Sequence, residues 1–282
     1  MSQQKTSALL QELTLGKTTS YTNQYDPTLL QAVPRTMARD TLGEIDTQYL
    51  GQDIWTGYEV SWLEPTGKPV VKIVEFVFQA HSENLVESKS FKLYLNSFNQ
   101  TRFKSEQAVK KLMQQDLAAM SGEKVEVTIY SLDQYTQKGL TLFSGELIDD
   151  APIEIDTFEY NPKLLTAETP AENVNETLTS HLLKSNCLVT GQPDWGSVLI
   201  QYSGPKICRS SLLTYLIGFR NHNEFHEHCV ERIYTDINNQ FKPDELLVYA
   251  RYTRRGGLDI NPIRASHTQL IAQTKWYRLA RQ

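Results

Sequence analysis

The chain has 282 residues, of which 40% are hydrophobic and 22% are charged, with a formal net charge of −5 at pH 7. No stretch approaches the roughly 18 apolar residues of a membrane span, the first residues lack a signal-peptide pattern, and three cysteines without a CxxC pair argue against disulfide frameworks and structural zinc. The acidic balance disfavours a general nucleic-acid binder. We therefore expect a soluble cytoplasmic protein with no membrane or direct nucleic-acid partner.

Composition divides the chain into four segments. Residues 1–45 are polar and predicted to be a leader, with one short helical candidate at Ser7–Leu15. Residues 149–180 hold eight acidic residues, one Lys and three prolines, which predicts a linker. The remaining segments, 46–148 and 181–282, are predicted to be two folded modules.

An internal repeat relates the two modules. Ser90–Phe98 and Ser211–Phe219 share Ser, Tyr, Leu and Phe at an offset of 121 residues, and Thr66–Pro69 matches Thr190–Pro193 at an offset of 124. Because the order of predicted elements around these matches is also the same, we interpret them as a duplication.

The predicted elements follow the same order in both modules. In the first module they are strands at Tyr58–Glu64 and Val70–Gln79, helices at Lys89–Phe98 and Lys104–Met120, and strands at Lys124–Leu132 and Leu140–Leu147. In the second they are strands at Asn186–Thr190 and Ser197–Ser203, helices at Cys208–Phe219 and Glu224–Phe241, and strands at Glu245–Thr253 and Asp259–Ser266. Each half reads ββααββ, which predicts an α+β fold with an antiparallel sheet and two helices on one face.

A candidate nucleophile and a candidate acid lie close together early in the second module. Cys187 follows Lys184, whose ammonium would favour the nucleophilic thiolate. A turn predicted at Gly191 would fold Asp194 back toward the sulfur and place an acid beside it. The alternative for Cys187 is a buried apolar side chain, which is how we interpret the other two cysteines.

A His-rich segment at the start of the last predicted helix has three interpretations. His222 and His226 are one helical turn apart and Cys229 is three residues further, so one helical face would present a zinc site. Alternatively, His226 and Glu227 would bind a heterocycle, since a carboxylate accepts two parallel hydrogen bonds from an aminopyrimidinone edge. The third interpretation is a solvated helix face.

Two other segments suit an anionic ligand. Glu87–Tyr94 begins a predicted helix, whose free N–H groups favour a phosphate, although a solvated capping segment is the alternative. Residues 251–282 have seven basic residues and one acid, which suggests a phosphate-bearing ligand or pairing with the acidic linker. Since the sequence has no GxG pair, P-loop or GxSxG elbow, any nucleotide must be bound in another way.

The segment Glu87–Tyr94 resembles the signature of the QueF family, the NADPH-dependent 7-cyano-7-deazaguanine reductases of queuosine biosynthesis, a tRNA modification. The spacing from Cys187 to Asp194, Phe225–Glu227 and Arg254–Pro262 also look like the two-module branch of this family. The resemblance implies two tandem tunnelling-fold (T-fold) modules. It also implies reduction of the nitrile 7-cyano-7-deazaguanine to 7-aminomethyl-7-deazaguanine through a covalent cysteine thioimide.

The resemblance further implies a role for each matching residue. Cys187 would be the nucleophile and Asp194 the proton donor. The deazaguanine would be bound by Val86, Glu87, Ser88, Phe225, His226 and Glu227. NADPH would be bound by Ser88, Lys89, Arg255 and Gly256. No metal is expected, and the resemblance suggests a homodimer.

The repeat bears on how many sites the chain has. Cys187 aligns near Leu63 and Glu87 aligns near Cys208, so each half lacks the other's chemical residues. We therefore expect one site assembled from both modules. The rival function is a zinc-dependent cyclohydrolase of the same fold, acting on a purine or pterin through His222, His226 and Cys229.

Overall fold

The computed structural model describes residues 21–42, 49–275 and 277–282. The chain forms two compact units. Unit 1 comprises Met1–Thr41, Ile54–Gly139 and Arg254–Asp259, and unit 2 comprises Leu42–Asp53, Leu140–Thr253 and Ile260–Gln282. Each unit is discontinuous in sequence, whereas the two predicted modules are contiguous segments. The helical candidate Ser7–Leu15 lies outside the described residues, and within them no helix combines the length and apolar character needed to cross a bilayer.

Among its described residues, unit 1 has a sheet, a small two-stranded ladder and four α-helices. Its strands are β1 (Ala32–Pro34), β2 (Leu50–Leu63, of which Ile54 onward belongs here), β3 (Pro69–Gln79), β4 (Asn84–Val86) and β5 (Glu126–Tyr130). Its helices are α1 (Thr36–Arg39), α2 (Ser88–Ser97), α3 (Glu106–Ser121) and α4 (Leu132–Gln137). Strand β3 lies between β2 and β5 and is antiparallel to β5, while β1 pairs antiparallel with β4.

Local sequence explains where the long helix of unit 1 begins and ends. The Ser105 side chain accepts a hydrogen bond from the backbone of Ala108, so Ser105 caps the first turn of α3. Gly122 ends the helix in the left-handed conformation, at φ +80°, which favours glycine. Val109, Met113 and Leu117 are four residues apart and buried, so one face of α3 packs on the core of unit 1.

The described part of unit 2 has a larger sheet and three α-helices. Its strands are β6 (Glu146–Leu147), β7 (Asn173–Ser180), β8 (Lys184–Asn186), β9 (Pro193–Pro205), β10 (Glu245–Tyr252) and β11 (Leu258–Ala265, of which Ile260 onward belongs here). Its helices are α5 (Arg209–Ile217), α6 (His226–Phe241) and α7 (Thr268–Gln273). The strand order is β11-β10-β9-β7-β6, with β8 also paired to β9, and only the short β6–β7 pair is parallel.

The core of unit 2 forms between α5, α6 and the sheet. Cys229, Ile233 and Ile237 are fully buried along one face of α6. They belong to one hydrophobic cluster with residues such as Leu212 of α5 and Val248 of β10. The α+β class with antiparallel sheets is therefore confirmed.

Two predicted strands are wrong. In the region predicted as the strand Leu140–Leu147, only Glu146–Leu147 is a strand, and it pairs with β7 of unit 2. Leu140 and Leu142 are 65% and 82% exposed, so this apolar alternation does not face a core. The predicted strand Asn186–Thr190 is instead the end of β8 followed by a turn. The ββααββ order therefore fails at the last strand of the first module.

The predicted linker contains a strand of the unit 2 sheet. Its last eight residues form β7, which pairs along its whole length with β9. The acidic composition of this segment did not predict a strand, because composition does not show that Glu176 of β7 is neutralised by Arg209 at 2.6 Å. Glu176 also accepts a hydrogen bond from Tyr202. Arg209 contacts Glu146 of β6 at 2.8 Å as well, so the acids stabilise a sheet edge.

A tyrosine–aspartate contact extends the repeat within unit 1. The side chain of Asp116 on α3 accepts hydrogen bonds from Tyr94 on α2 at 2.6 Å and from Tyr25 at 2.8 Å. Tyr25 is followed by Asp26 and a short 3-10 helix, Pro27–Leu29. This part of the predicted leader is therefore attached to the two long helices of its unit.

Unit 2 contains the same contact. Asp236 on α6 accepts hydrogen bonds from Tyr215 on α5 at 2.6 Å and from Tyr160 at 2.9 Å. Tyr160 is followed by Asn161 and the 3-10 helix Pro162–Leu164. The pattern Tyr-Asx-Pro-x-Leu-Leu thus occurs once before each helix pair. This part of the repeat was not predicted, because one copy lies in the predicted leader and the other in the predicted linker.

Candidate active site

A hairpin brings the candidate nucleophile and acid together in unit 2. Strand β8 pairs with β9 so that Ser185 lies opposite Asp194. The Cys187 N–H donates to the Gln192 carbonyl at 2.8 Å, and the Gly191 N–H donates back to Cys187 at 3.0 Å. Side chains two residues apart on a strand share a face, so Cys187, Ser185 and Asp194 lie on one face of the hairpin, as the predicted turn requires.

The turn that carries Cys187 depends on one glycine. Gly191 has φ +65°, a left-handed conformation that glycine adopts without steric cost. Cys187 and Asp194 are only 5% and 3% exposed. The hairpin therefore holds a thiol and a carboxyl group in a place that bulk water barely reaches.

His226 contacts Asp194 from the first turn of α6. Its Nε2 lies 3.2 Å from Oδ2 of Asp194, and its Nδ1 lies 3.3 Å from the carbonyl oxygen of Ile260. The imidazole also stacks on the Tyr252 ring, with 3.9 Å between centroids and 10° between planes. Three contacts thus fix the orientation of this ring.

These contacts place a hydrogen-bond acceptor beside each ring nitrogen of His226. A backbone carbonyl only accepts hydrogen bonds, so the bond to Ile260 is made by the tautomer that carries a hydrogen on Nδ1. The opposite nitrogen, Nε2, faces Oδ2 of Asp194 at hydrogen-bond distance. The imidazole and the carboxyl group are therefore placed to exchange a proton.

Tyr252 and Cys229 lie beside this pair and remain neutral. Burial raises the pKa of the Cys229 thiol to about 12, and burial also raises the pKa of Tyr252 well above its usual value. The two side chains interact with each other and with Ser185. Cys229 is therefore a buried thiol, as the sequence predicted.

Lys184 does not direct its ammonium as predicted. Its Nζ donates to the Asn186 side chain at 2.6 Å and to the carbonyl of Arg220 at 2.5 Å. Burial and the nearby charge of Arg220 lower the pKa of Lys184. The ammonium holds the end of β8 in place, and these bonds do not support the expected stabilisation of a Cys187 thiolate by Lys184.

The zinc arrangement predicted for this segment is wrong in its geometry. His222 precedes α6 in an extended conformation and is not one helical turn from His226. Its Nε2 contacts Glu224 at 3.0 Å instead. Burial alone would raise the pKa of Glu224, but hydrogen bonds from His222 and Arg232 outweigh it and lower the value. Within residues 21–42, 49–275 and 277–282, no three His, Cys, Asp or Glu side chains form a metal-binding cluster.

The other predicted substrate residues of unit 2 lie at the same helix start. Phe225 is the N-cap residue of α6 and partly exposed. Glu227 follows in the first turn and is 3% exposed. Its carboxyl group has two oxygens, each able to accept a hydrogen bond from a ligand.

In unit 1, the predicted substrate residues lie where β4 meets α2. Val86 ends β4 and is buried, while Glu87 is the N-cap of α2. The Glu87 carboxylate accepts hydrogen bonds from the backbone of Lys89 at 2.8 Å and Ser90 at 2.6 Å. Burial raises the pKa of Glu87, and these backbone bonds oppose that effect. The Glu87 side chain therefore caps this helix start, which is the capping alternative that the sequence left open beside a phosphate site.

The predicted cofactor residues of unit 1 are more accessible. Ser88 and Lys89 are half-buried in the first turn of α2. Arg255 and Leu258 close a two-residue turn through backbone bonds of 2.9 and 3.3 Å. The glycines between them have φ +60° and +76°, as this tight hairpin turn requires. Gly256 is exposed, so a ligand is able to approach its backbone.

Two family comparisons bear on these residues. Residues 21–129 match the model of nitrile reductase, 7-cyano-7-deazaguanine-reductase N-term, and residues 193–270 match the model of QueF-like protein. The first match includes Glu87, and the second includes Asp194, Glu227 and Arg255. Cys187 lies between the two matched ranges, six residues before the second one begins.

Proposed function

The chain belongs to the QueF family of nitrile reductases of queuosine biosynthesis, and on this premise we propose that it reduces 7-cyano-7-deazaguanine to 7-aminomethyl-7-deazaguanine with NADPH, through a thioimide on Cys187. The observation that carries the proposal is the contact between Asp194 and His226 on the hairpin that holds Cys187. It supplies a stored proton beside a buried thiol. Addition of a thiol to a nitrile requires both.

In the first step, the Cys187 sulfur attacks the nitrile carbon. A C–S bond forms and one π bond of the nitrile breaks, the S–H proton of Cys187 passes to the Asp194–His226 pair, and the nitrogen takes a proton from Asp194, so the pair ends the step with the protons it began with. His226 keeps Asp194 supplied, because its Nε2 shares a proton with Oδ2 while Nδ1 stays bonded to Ile260. The product is a neutral thioimide, a C=N group that accepts hydride.

The later steps depend on exclusion of water. Conversion of a nitrile to a primary amine consumes two hydrides and two protons, and release of the Cys187 sulfur after the first hydride leaves an imine. Water would hydrolyse that imine. The low exposure of Cys187 and Asp194 supports a site that keeps the intermediate from solvent.

Recognition of the deazaguanine is proposed for both glutamates. Glu227 would accept two hydrogen bonds from the aminopyrimidinone edge. Both oxygens of Glu87 already accept a backbone bond, but each has a second lone pair that is able to accept from the substrate. Val86 and Ser88 in unit 1 and Phe225 in unit 2 are proposed as further substrate contacts. The resemblance assigns His226 to substrate binding, but we propose contact with Asp194 as its main role, because the structure contains that contact.

The accessible residues of unit 1 fit a phosphate-bearing cofactor. Arg254 stacks over Tyr58 with 4.7 Å to the ring centroid, and Arg255 and Gly256 follow it in the exposed turn. Arg255, Gly256, Ser88 and Lys89 would bind NADPH, which supplies the hydride when bound. Cationic side chains and exposed backbone N–H groups are the groups that bind phosphates in the absence of a P-loop.

One experiment tests the proposed function. Purified protein is mixed with NADPH and 7-cyano-7-deazaguanine, and loss of NADPH absorbance is followed with and without the nitrile. We expect nitrile-dependent oxidation of two NADPH per amine formed, and a mass increase equal to the nitrile substrate when NADPH is omitted. Absence of both signals from folded protein would refute the proposal. The homodimer suggested by the resemblance stays a prediction, which light scattering would test.

A further inference from the structure

Tyr252, the last residue of β10, lies beside the Asp194–His226 pair and has no role in the steps proposed above. Its side chain is fully buried, so a ligand does not reach it. Its ring lies against the imidazole of His226, with 3.9 Å between centroids and 10° between planes. Any influence of Tyr252 on the chemistry is therefore exerted through His226.

The two hydrogen bonds of His226 leave its ring only loosely fixed. They measure 3.2 Å to Asp194 and 3.3 Å to Ile260, longer than the usual value of about 2.9–3.0 Å. The torsion that rotates an imidazole about its Cβ–Cγ bond has a broad minimum, so the side chain itself resists rotation weakly. Rotation would move both nitrogens away from their partners at once. A flat ring stacked on the imidazole opposes that rotation, and Tyr252 supplies this ring.

The register of the sheet places Tyr252 beside the acid. Tyr252 lies directly opposite Gly196 of β9, and Asp194 comes two residues before Gly196, on the same face of the strand. Two buried hydrogen bonds of 3.0 Å hold the backbone of Tyr252. Its N–H donates to the Asn261 side chain, and its carbonyl accepts from the Gln282 side chain. All of these residues belong to unit 2.

Gly196 provides the space that the Tyr252 ring occupies. A Cβ atom built on Gly196 would lie 3.2 Å from Cδ1 and Cε1 of Tyr252, closer than the roughly 3.5–4.0 Å at which carbon atoms attract best. The φ angle of Gly196 lies outside the left-handed range, so its backbone conformation does not require glycine. Glycine inside a strand often marks a close approach, and here the approaching group is the Tyr252 ring.

The hydroxyl group of Tyr252 is a poor proton donor. It interacts with Cys229 and Ser185, and burial raises the pKa of Tyr252 well above its usual value. The hydroxyl therefore stays protonated at neutral pH. The part of Tyr252 that acts on His226 is the face of its ring.

We propose that Tyr252 is a positioning residue for proton transfer: its ring holds the imidazole of His226 in the plane in which Nε2 faces Asp194, in the space that Gly196 leaves. The inference rests on the proposed function, in which the Asp194–His226 pair exchanges protons with Cys187 and the nitrile nitrogen. It makes the rate of adduct formation depend on a residue that ligands do not reach.

The central test separates the ring of Tyr252 from its hydroxyl group. Formation of the thioimide on Cys187 is followed by mass spectrometry without NADPH. Tyr252→Leu, which removes the flat ring, should slow it about tenfold, the upper range of what an aromatic pair contributes. Tyr252→Phe, which keeps the ring, should react within about twofold of wild type. Tyr234→Leu removes another buried ring, on α6, and should react at the wild-type rate.

A double-mutant cycle distinguishes positioning from general damage to the fold. His226→Gln removes the imidazole, and in that background Tyr252→Leu should change the rate by less than about twofold, because Tyr252 acts through His226. Gly196→Ala displaces the ring without deleting it. It should slow the reaction about threefold in the wild-type background and have no further effect beside His226→Gln. Losses that add in full would refute the inference.

A measurement without turnover tests the geometry itself. Nitrogen-15 spectra of histidine-labelled protein are recorded without ligand, and the signals of His226 among the six histidines are those missing from His226→Gln. We expect a protonated Nδ1 in wild type and in Tyr252→Phe, since the bond to Ile260 requires a hydrogen there. In Tyr252→Leu the signals should move toward those of a freely rotating imidazole.

The outcomes separate this inference from the proposed function. If wild type forms the thioimide and Tyr252→Leu forms it equally fast, or Tyr252→Phe is as slow as Tyr252→Leu, the positioning role is wrong and the proposed function stands. If wild type forms no thioimide, the proposed function is refuted and the nitrogen-15 spectra decide the role of Tyr252. Unchanged His226 signals in folded Tyr252→Leu protein refute the inference whatever the activity. Melting temperatures establish folding, and if Tyr252→Leu does not fold, Gly196→Ala decides by the same criteria.

Discussion

Nε2 of His226 lies 3.2 Å from Oδ2 of Asp194, so the residue predicted to donate a proton is paired with a residue that the resemblance assigned to substrate binding. Because Nδ1 of His226 is committed to the carbonyl of Ile260, its other nitrogen is available to Asp194 alone among its described partners. The pair gives the proposed general acid a defined source of protons.

Replacing Asp194 with Asn should slow formation of the covalent adduct by about 10²–10⁴, the usual contribution of a general acid. The amide keeps the shape of the side chain and loses the transferable proton, so affinity for the product amine should change little. Mass spectrometry over a time course measures the adduct, and Asp133→Asn, an exposed change, is the control. Adduct formation at the wild-type rate would remove Asp194 from this role.

Replacing Cys187 with Ala should abolish both the adduct and turnover, since Cys187 is the thiol on the hairpin beside Asp194. Cys229→Ala should keep the adduct and lower the free energy of unfolding by about 1–2 kcal/mol, because it leaves a small cavity at a fully buried position. Urea denaturation measures the second effect. An adduct on Cys187→Ala protein would overturn the assignment of the nucleophile.

Replacing Glu227 with Gln should weaken binding of the deazaguanine by about 1–3 kcal/mol, because a charged pair of acceptors becomes one acceptor and one mismatched donor. Calorimetry with the product amine measures the change without turnover. Glu245→Gln, an exposed glutamate in the same unit, should bind as wild type does. Equal affinity of the Glu227 variant and wild type would contradict the role.

Replacing Tyr160 with Phe should lower the free energy of unfolding by about 0.5–1.5 kcal/mol, because Asp236 loses one of its two tyrosine hydrogen bonds. The change lies in the segment predicted as a linker, and a free linker would tolerate it. Tyr21→Phe is the control, since Tyr21 is 74% exposed. Chemical denaturation that shows no difference between the two variants would mean that the contact adds no stability.

Replacing Arg255 with Gln should raise the KM for NADPH more than the KM for NADH, and so narrow the preference of the enzyme for NADPH. The physical reason is loss of a cation beside the phosphate-bearing cofactor. Steady-state kinetics with both cofactors measures this, with Arg102→Gln as an exposed control in the same unit. A wild-type enzyme that uses NADH equally well would refute the phosphate site and leave the Cys187 chemistry intact.

Much of the fold was predictable because its signals are local. The helix predicted at Glu224–Phe241 is confirmed as α6, His226–Phe241, and Cys229, Ile233 and Ile237 lie at helical spacing along its buried face. The glycine at position 191 predicted the turn that returns the chain toward Cys187. In each case, neighbours in sequence determine the backbone conformation, so pattern and spacing are enough.

The errors have a different origin. Strand β7 was missed because the partner that neutralises Glu176 is Arg209, which is distant in sequence. The strand predicted from Leu140 does not form, and the side chains of Leu140 and Leu142 are exposed. Whether an edge segment or an exposed apolar alternation forms a strand depends on the residues that pair with it from other parts of the chain. Composition does not show which residues those are.

By itself, the sequence determined the α+β class, the duplicated helix pairs and the residue types at the candidate site. Only the tertiary structure decided which of those residues meet. Three contacts join strands or helices that are separate in sequence. They are the pairing of Asp194 with His226, the bond from His226 to Ile260, and the buried ion pair of Arg264 with Asp53 at 2.7 Å. Such contacts are set by the register of paired strands and the packing of α6 on the sheet, and no local pattern encodes them.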